Sequence, residues 1–131
     1  MDIIKRALSA GQAALSEYDS KRFLLSFGIP VCRGAIAYDA DSAAVEAVKI
    51  GFPIVLKASG QSLFHKTEAG GVVLNITSEE EVRKESHRLL QIQGTEALLV
   101  QEMVKGDREL VCGLIRDPEF GPCVMFGIGG V

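Results

Sequence analysis

Residues 53–76 read PIVLKASGQSLFHKTEAGGVVLNI, and their order decides the fold. Ile54-Val55-Leu56 is a short apolar run opened by Pro53 and ended by Lys57, the pattern of a buried strand. Gly71 to Ile76 (GVVLNI) reads as a second strand. Between them, residues 59–70 are rich in Gly, Ser and charge and read as a loop.

Upstream, Ile3, Ile4, Ala7, Leu8 and Leu15 recur at helical spacing over residues 2–15. Ser16 and Asp19 offer caps for a second helix carrying Phe23, Leu24 and Phe27. Gly28 stops it, and Pro30 prevents its resumption. Val31 to Ala37 reads as a short strand. Asp41 or Ser42 then caps a third helix, with Val45 and Val48 facing inward and Gly51 just past its end. Downstream, Ser78 and Glu81 form a capping box that opens a helix running to about Ile92. Ala97 to Val104 is a strand, Lys105 to Arg108 a turn, and Glu109 to Ile115 a returning strand. Asp117-Pro118 turns the chain again, and Cys123 to Ile128 is extended. Helices and strands thus alternate in an α+β or α/β fold, without repeats or a low-complexity linker. The sequence stops in or just after a strand, at Gly127-Ile128-Gly129-Gly130-Val131, where an unpaired edge is a liability. We therefore expect a fragment, or a core completed by another chain.

Composition narrows the function. The chain has 131 residues, with 14 Lys+Arg against 17 Asp+Glu, a formal net charge of −3. That balance carries no general footprint for nucleic acid, and with no Trp and few aromatics a base-stacking platform is disfavoured too. Cys32, Cys112 and Cys123 form no CxxC pair, so they read as reduced thiols acting as small hydrophobes. Neither a basic-then-apolar leader nor a membrane-length apolar run is present, so a soluble, cytoplasmic protein is expected.

Three places could carry chemistry. Lys57 ends a core strand, which either aims one point charge at a phosphate or simply leaves a solvated lysine. In the 59–71 loop, glycines permit close backbone approach to a ligand and Lys66 adds positive charge, although GxxxxGK[ST] is absent. His65, in its middle, is either a mobile acceptor of a phosphoryl group or proton, or an ordinary loop histidine. Glu102 closes an apolar strand. There it could accept from an exocyclic amine such as adenine N6, with Met103 or Val104 against the base and Glu109 on ribose hydroxyls. The alternative is two hairpin carboxylates in water.

Taken in order, Lys57 after PIVL, His65-Lys66-Thr67-Glu68-x-Gly70-Gly71-Val72, Val100-Gln101-Glu102-Met103, Glu109, Asp117-x-x-Phe120-Gly121-Pro122 and Phe126-Gly127-x-Gly129-Gly130 form a set. The set resembles the ATP-grasp domain of ADP-forming acyl-CoA (acetyl-CoA) synthetases. Leu15-Ser16-Glu17-Tyr18 through Lys21, then Gly28-Ile29-Pro30-Val31, fits that domain's start, so the resemblance covers about residues 15–131. The beta subunit of succinyl-CoA synthetase is a more distant likeness, and the loop histidine favours the acyl-CoA branch.

The resemblance implies an ATP-grasp fold: an N-terminal helix at 1–14, a first subdomain at 15–96, and the opening, incomplete part of a second at 97–131. It implies the reaction acyl-CoA + ADP + phosphate ⇌ acid + CoA + ATP, with His65 as the mobile phosphohistidine. Lys57 and Lys66 would serve the nucleotide phosphates, and Gly70 and Gly71 would let the loop close. Glu102 would bind the adenine amine, Met103 and Val104 would form the hinge, and Glu109 would hold ribose. The implied cofactors are ATP/ADP and Mg²⁺, with the metal's ligands expected beyond residue 131. The implied partner is a CoA-binding and ligase domain or subunit, with no nucleic acid and no membrane. Such a chain is expected to be inactive alone. The competing readings are a binding-only ATP-grasp remnant that senses nucleotide or docks a partner, and the ATP-grasp segment of a lysine acetyltransferase fusion.

Overall fold

The computed structural model describes residues 2–12, 14–61, 63, 70–106 and 108–129. Its elements are α1 (Asp2–Ser9), α2 (Glu17–Leu25), β1 (Gly34–Ala37), α3 (Ala40–Ile50), β2 (Ile54–Ser59), β3 (Val72–Ile76), α4 (Glu79–Leu90), β4 (Ala97–Glu102), β5 (Leu110–Asp117) and β6 (Gly121–Ile128). The mixed helix-and-sheet class expected from the sequence is what forms.

Four strands make one antiparallel sheet in the order β1-β4-β2-β3, and β5 and β6 pair separately as a hairpin. Strand alternation sends Ile54, Leu56, Ala58, Leu98 and Val100 to one face of the sheet, where α3 and α4 cover them. Ala43, Ala44 and Ala47 of α3 and Val82 and Leu89 of α4 complete this core. The residues between, Val55, Lys57, Leu99 and Gln101, belong to the opposite face. In β3, two residues separate Val73 from Ile76 where β2 has one between Ile54 and Leu56. The extra residue makes a bulge, and Asn75 takes the left-handed conformation there with φ 58°.

Several expectations are corrected. The first helix stops at Ser9 rather than Leu15, because Gly11 takes a φ of 66° and Gln12 N–H closes on Ala7 O in a left-handed C-cap. The cap of α3 is Asp39, not Asp41 or Ser42: its carboxylate accepts from Ser42 N–H at 2.7 Å, and the Ser42 hydroxyl closes the box. Val45 and Val48 are 52% and 53% exposed. The alanine stripe takes the inward positions, and small side chains let α3 press close to α4 and the sheet. Ser78 caps α4 as expected, but the returning carboxylate of Glu81 takes the N–H of Thr77.

The largest correction concerns β4. Expected to open a second subdomain at residue 97, it lies instead inside the first sheet, between β1 and β2. The sheet ends at Glu102, so the change of sheet falls in residues 103–109. The β5–β6 hairpin beyond is apolar yet exposed along one face, with Leu110, Leu114, Val124, Phe126 and Ile128 open to solvent. Cys112 shares that exposed face, so it is not a core thiol.

Candidate functional site

Lys57 stands on the sheet face opposite the helix-packed core, where α2 approaches. Ser16 caps α2 by accepting from Asp19 N–H at 3.1 Å, which sets Glu17 in the first turn. One oxygen of Glu17, Oε1, then accepts from Lys57 Nζ at 2.6 Å and from Lys21 Nζ, one helical turn on, at 2.8 Å. Lys21 Nζ also donates to Gln101 Oε1 on β4. Helix α2, β2 and β4 are thereby joined by a polar network in which at least two ammonium groups converge on one carboxylate. The side chains of Glu17, Lys21 and Lys57 are between 19% and 29% exposed, so water still reaches them and a polyanion could as well.

Beside this network a cleft of about 420 Å³ opens between Tyr18, Lys21, Arg22 and Leu25 of α2, the segment Val31–Gly34, and Leu99 and Gln101. That volume lies within the range of about 300–1,000 Å³ usual for small-molecule sites. Arg22 lies over the Tyr18 ring, 5.7 Å from its centre.

Glu102 closes β4 and is held by Arg33. Arg33 N–H donates to Oε1 at 2.7 Å and Nε–H to Oε2 at 2.9 Å. The main-chain N–H first, and the guanidinium second, hold the Glu102 carboxyl below its ordinary pKa. Next along, Met103 N–H donates to Pro53 O at 3.1 Å. Proline has no N–H to return the bond, so regular pairing of β2 with β4 runs out here. Val104 is exposed. Glu109 is exposed at the root of the hairpin, its carbonyl accepting from Gly129 N–H at 2.9 Å.

Among the loop residues, Gly70 O accepts from Arg88 Nη1 at 3.0 Å, and Gly71 O accepts from Ala58 N–H at 2.8 Å, fixing the return into β3. His65 and Lys66 lie outside the described residues. The structure therefore joins Lys57 to Gln101 of β4 through Glu17 and Lys21, whereas Glu102, paired with Ile54, belongs to the other face of the sheet. Among the described residues Glu109 shares no hydrogen bond or ion pair with Lys57 or Glu102. The sequence reading quoted Glu17, Lys21 and Gln101 within motifs without giving them a role, and did not single out Arg33. The i,i+4 pair Glu17/Lys21 was a signal; Arg33, 69 positions before Glu102, gave none. No three His, Cys, Asp or Glu side chains converge as a metal set among the described residues, so no Mg²⁺ coordination is assigned to them. Nor is any helix among them long and apolar enough to cross a membrane.

The described residues thus form an antiparallel sheet backed by two helices on one face, with Lys57 of β2 on the other face and a change of sheet after Glu102. The profile of the ATP-grasp domain family matches residues 6–131, and the chain belongs to that family. It is 36% identical to the acetate–CoA ligase [ADP-forming] II subunit beta of Pyrococcus furiosus, over 100% of this chain and 58% of the relative. An acetyl-coenzyme A synthetase 1 of Ca. Korarchaeum cryptofilum, solved with coenzyme A and Ca-AMPCP, superposes with a TM-score of 0.93 at 40% identity, covering 98% of this chain and 59% of that one. Another structure of that enzyme, with Mg-AMPPCP and a phosphohistidine segment pointing towards the nucleotide binding site, gives a TM-score of 0.83 at 43% identity, over 99% and 57% of the chains. The chain thus spans somewhat under three-fifths of these relatives.

Proposed function

We propose that this chain is the nucleotide-binding, phosphohistidine-carrying part of an ADP-forming acyl-CoA synthetase, which converts acyl-CoA, ADP and phosphate to acid, CoA and ATP. The observation that carries the reading is the position of Lys57. It stands on the sheet face opposite the helix-packed core, in a network with Glu17, Lys21 and Gln101, within a chain of this family.

In this reading the chain binds one adenine nucleotide. Lys57, with Lys66 from the loop, neutralises its phosphates, and Gly70 and Gly71 let the loop close over them. Glu102 accepts from the adenine amine, Met103 and Val104 form the hinge, and Glu109 reaches the ribose. His65 receives a phosphoryl group at a distant CoA-ligase partner and carries it to ADP. There the P–N bond breaks as a β-phosphate oxygen of ADP takes the phosphoryl group, giving ATP and free imidazole. Such a transfer is governed by positioning and charge neutralisation more than by covalent help. Mg²⁺, entering with the nucleotide, supplies further charge neutralisation. The setting is cytoplasmic, and the chain without the remainder of the enzyme has little turnover.

Titration calorimetry of Mg-ADP on the intact protein and on Lys57→Met tests the reading. It expects saturable binding that Lys57→Met weakens by about tenfold or more, the scale of one lost charge-assisted contact. Equal binding by both proteins would remove Lys57 from the site, and no binding by either would sink the reading.

A further inference from the structure

We infer that Lys21 is a positioning residue for Lys57 that acts through Glu17: it keeps hold of the Glu17 carboxylate when Lys57 turns to a phosphate. The inference rests on the reading of Lys57 as a phosphate contact and names the residue that lets that contact form. Glu17 Oε1 accepts from Lys57 Nζ at 2.6 Å. A phosphate that takes the same ammonium must displace this oxygen. A carboxylate left there without a cation would repel the phosphate that displaced it. A site of this kind therefore needs a second cation that stays with the carboxylate.

Lys21 is placed to be that cation. Its Nζ meets the same Oε1 at 2.8 Å from one helical turn further along α2, with the glutamate on the N-terminal side, the favourable order for such a pair. It also donates to Gln101 Oε1 on β4. The β2–β4 register sets Gln101 opposite Val55, two positions from Lys57, so Gln101 and Lys57 share a sheet face. An ammonium has three donors, and Lys21 commits two of them to partners on two different elements. Neither of those bonds involves Lys57. Lys21 thus keeps its place whichever acceptor Lys57 holds, and its charge stays beside the Glu17 carboxylate as a pair. Without Lys21, more of the Glu17 charge falls on Lys57, and a phosphate has to compete with a stronger ion pair.

The test is a double-variant cycle read by calorimetric titration of the intact protein with inorganic tripolyphosphate, at about 0.15 M salt to damp through-space effects. Lys21→Gln is expected to weaken binding about fivefold, the scale of one partly exposed ion pair. Adding Glu17→Gln should abolish that loss, because no carboxylate is left to hold away from Lys57. The double variant should then bind within about twofold of Glu17→Gln alone, the residue of through-space attraction at this salt. Lys21→Arg, which keeps the charge and the reach, should retain most of the wild-type affinity. Recovery in the double variant also shows that Lys21→Gln loses affinity without losing its fold. Undiminished binding by Lys21→Gln would overturn the assignment. So would an equal loss from Lys21→Gln in both backgrounds, the sign of a lysine that meets the anion itself. A double variant as weak as Lys21→Gln would also overturn it, by showing that Lys21 serves to dock α2 on β4. Wild-type protein that ignores tripolyphosphate, or binds it no better than Lys57→Met, would instead remove the phosphate reading of Lys57 and this inference with it.

Discussion

Lys57 Nζ lies 2.6 Å from Glu17 Oε1, and that same oxygen takes Lys21 Nζ at 2.8 Å. An ammonium from within β2 and a helix ammonium therefore share a counter-ion on the sheet face opposite the helix-packed core. The pair gives Lys57 a defined place, and under the proposed function it would set a carboxylate in competition with a phosphate for the same proton donors.

Removing that competitor should strengthen anion binding. Partly exposed ion pairs are worth about 1 kcal/mol or less, so Glu17→Gln is expected to raise tripolyphosphate affinity by up to about fivefold. The gain should shrink as salt is added. Calorimetric titration at two ionic strengths checks this; a loss of affinity would show that Glu17 serves mainly to orient Lys57.

Acid should destabilise the fold, and the sign follows from the carboxylates. The Arg33 main-chain N–H and guanidinium hold Glu102 below its ordinary value of 4.5. The Ser42 main-chain N–H and hydroxyl do the same for Asp39, and the N–H groups of Phe120 and Glu119 do so for Asp117, each below 3.8. A depressed folded pKa gives stability that is fully present above the unfolded pKa and lost as pH falls through the folded one. Urea unfolding should therefore show stability flat near neutrality and falling from about pH 5 downward. Glu102→Gln should make that fall shallower; an unchanged acid limb would mean that Arg33 does not hold Glu102 in solution.

The core makes two opposite predictions. Leu98 is fully buried at the centre of the sheet, so Leu98→Ala should cost about 2–5 kcal/mol in urea unfolding. Ser86 is fully buried on α4, and its hydroxyl has no hydrogen-bond partner. Ser86→Ala should therefore stabilise by about 1 kcal/mol, and destabilisation would reveal a partner for that hydroxyl.

Gly60 is fixed by contact rather than by conformation. A Cβ there would stand 2.0 Å from the carbonyl oxygen of Gly94, a backbone atom with little room to give. Gly60→Ala should lower stability by about 1–3 kcal/mol, read from the melting temperature. An unchanged melting temperature would mean that the 59–60 and 94–96 segments separate easily.

Most of the fold was legible because its boundaries are chemical. Gly28 with Pro30, the Ser78 cap and Asp117-Pro118 each end or begin an element for a local reason, and the elements follow. What failed was long-range or a matter of degree. Ranking Val above Ala put the wrong stripe of α3 inward, and nothing local says that β4 inserts between β1 and β2. The site divided the same way. Lys57 and Glu102 could be named because each follows an apolar run, although β2 runs on past Lys57 to Ser59, whereas Arg33 meets Glu102 only through strand register. Glu17 and Lys21 were visible as a helical pair, but their convergence on Lys57 depends on how α2 lies against the sheet.

The most direct test of the central claim is transfer of labelled phosphate from Mg-ATP, labelled at its γ-position, to the intact protein with the CoA-ligase partner that the proposal assigns to it. The account predicts an acid-labile, alkali-stable phosphate that disappears in His65→Gln, while that variant still binds Mg-ADP. No label on the wild-type protein, or label that persists in His65→Gln, would contradict it.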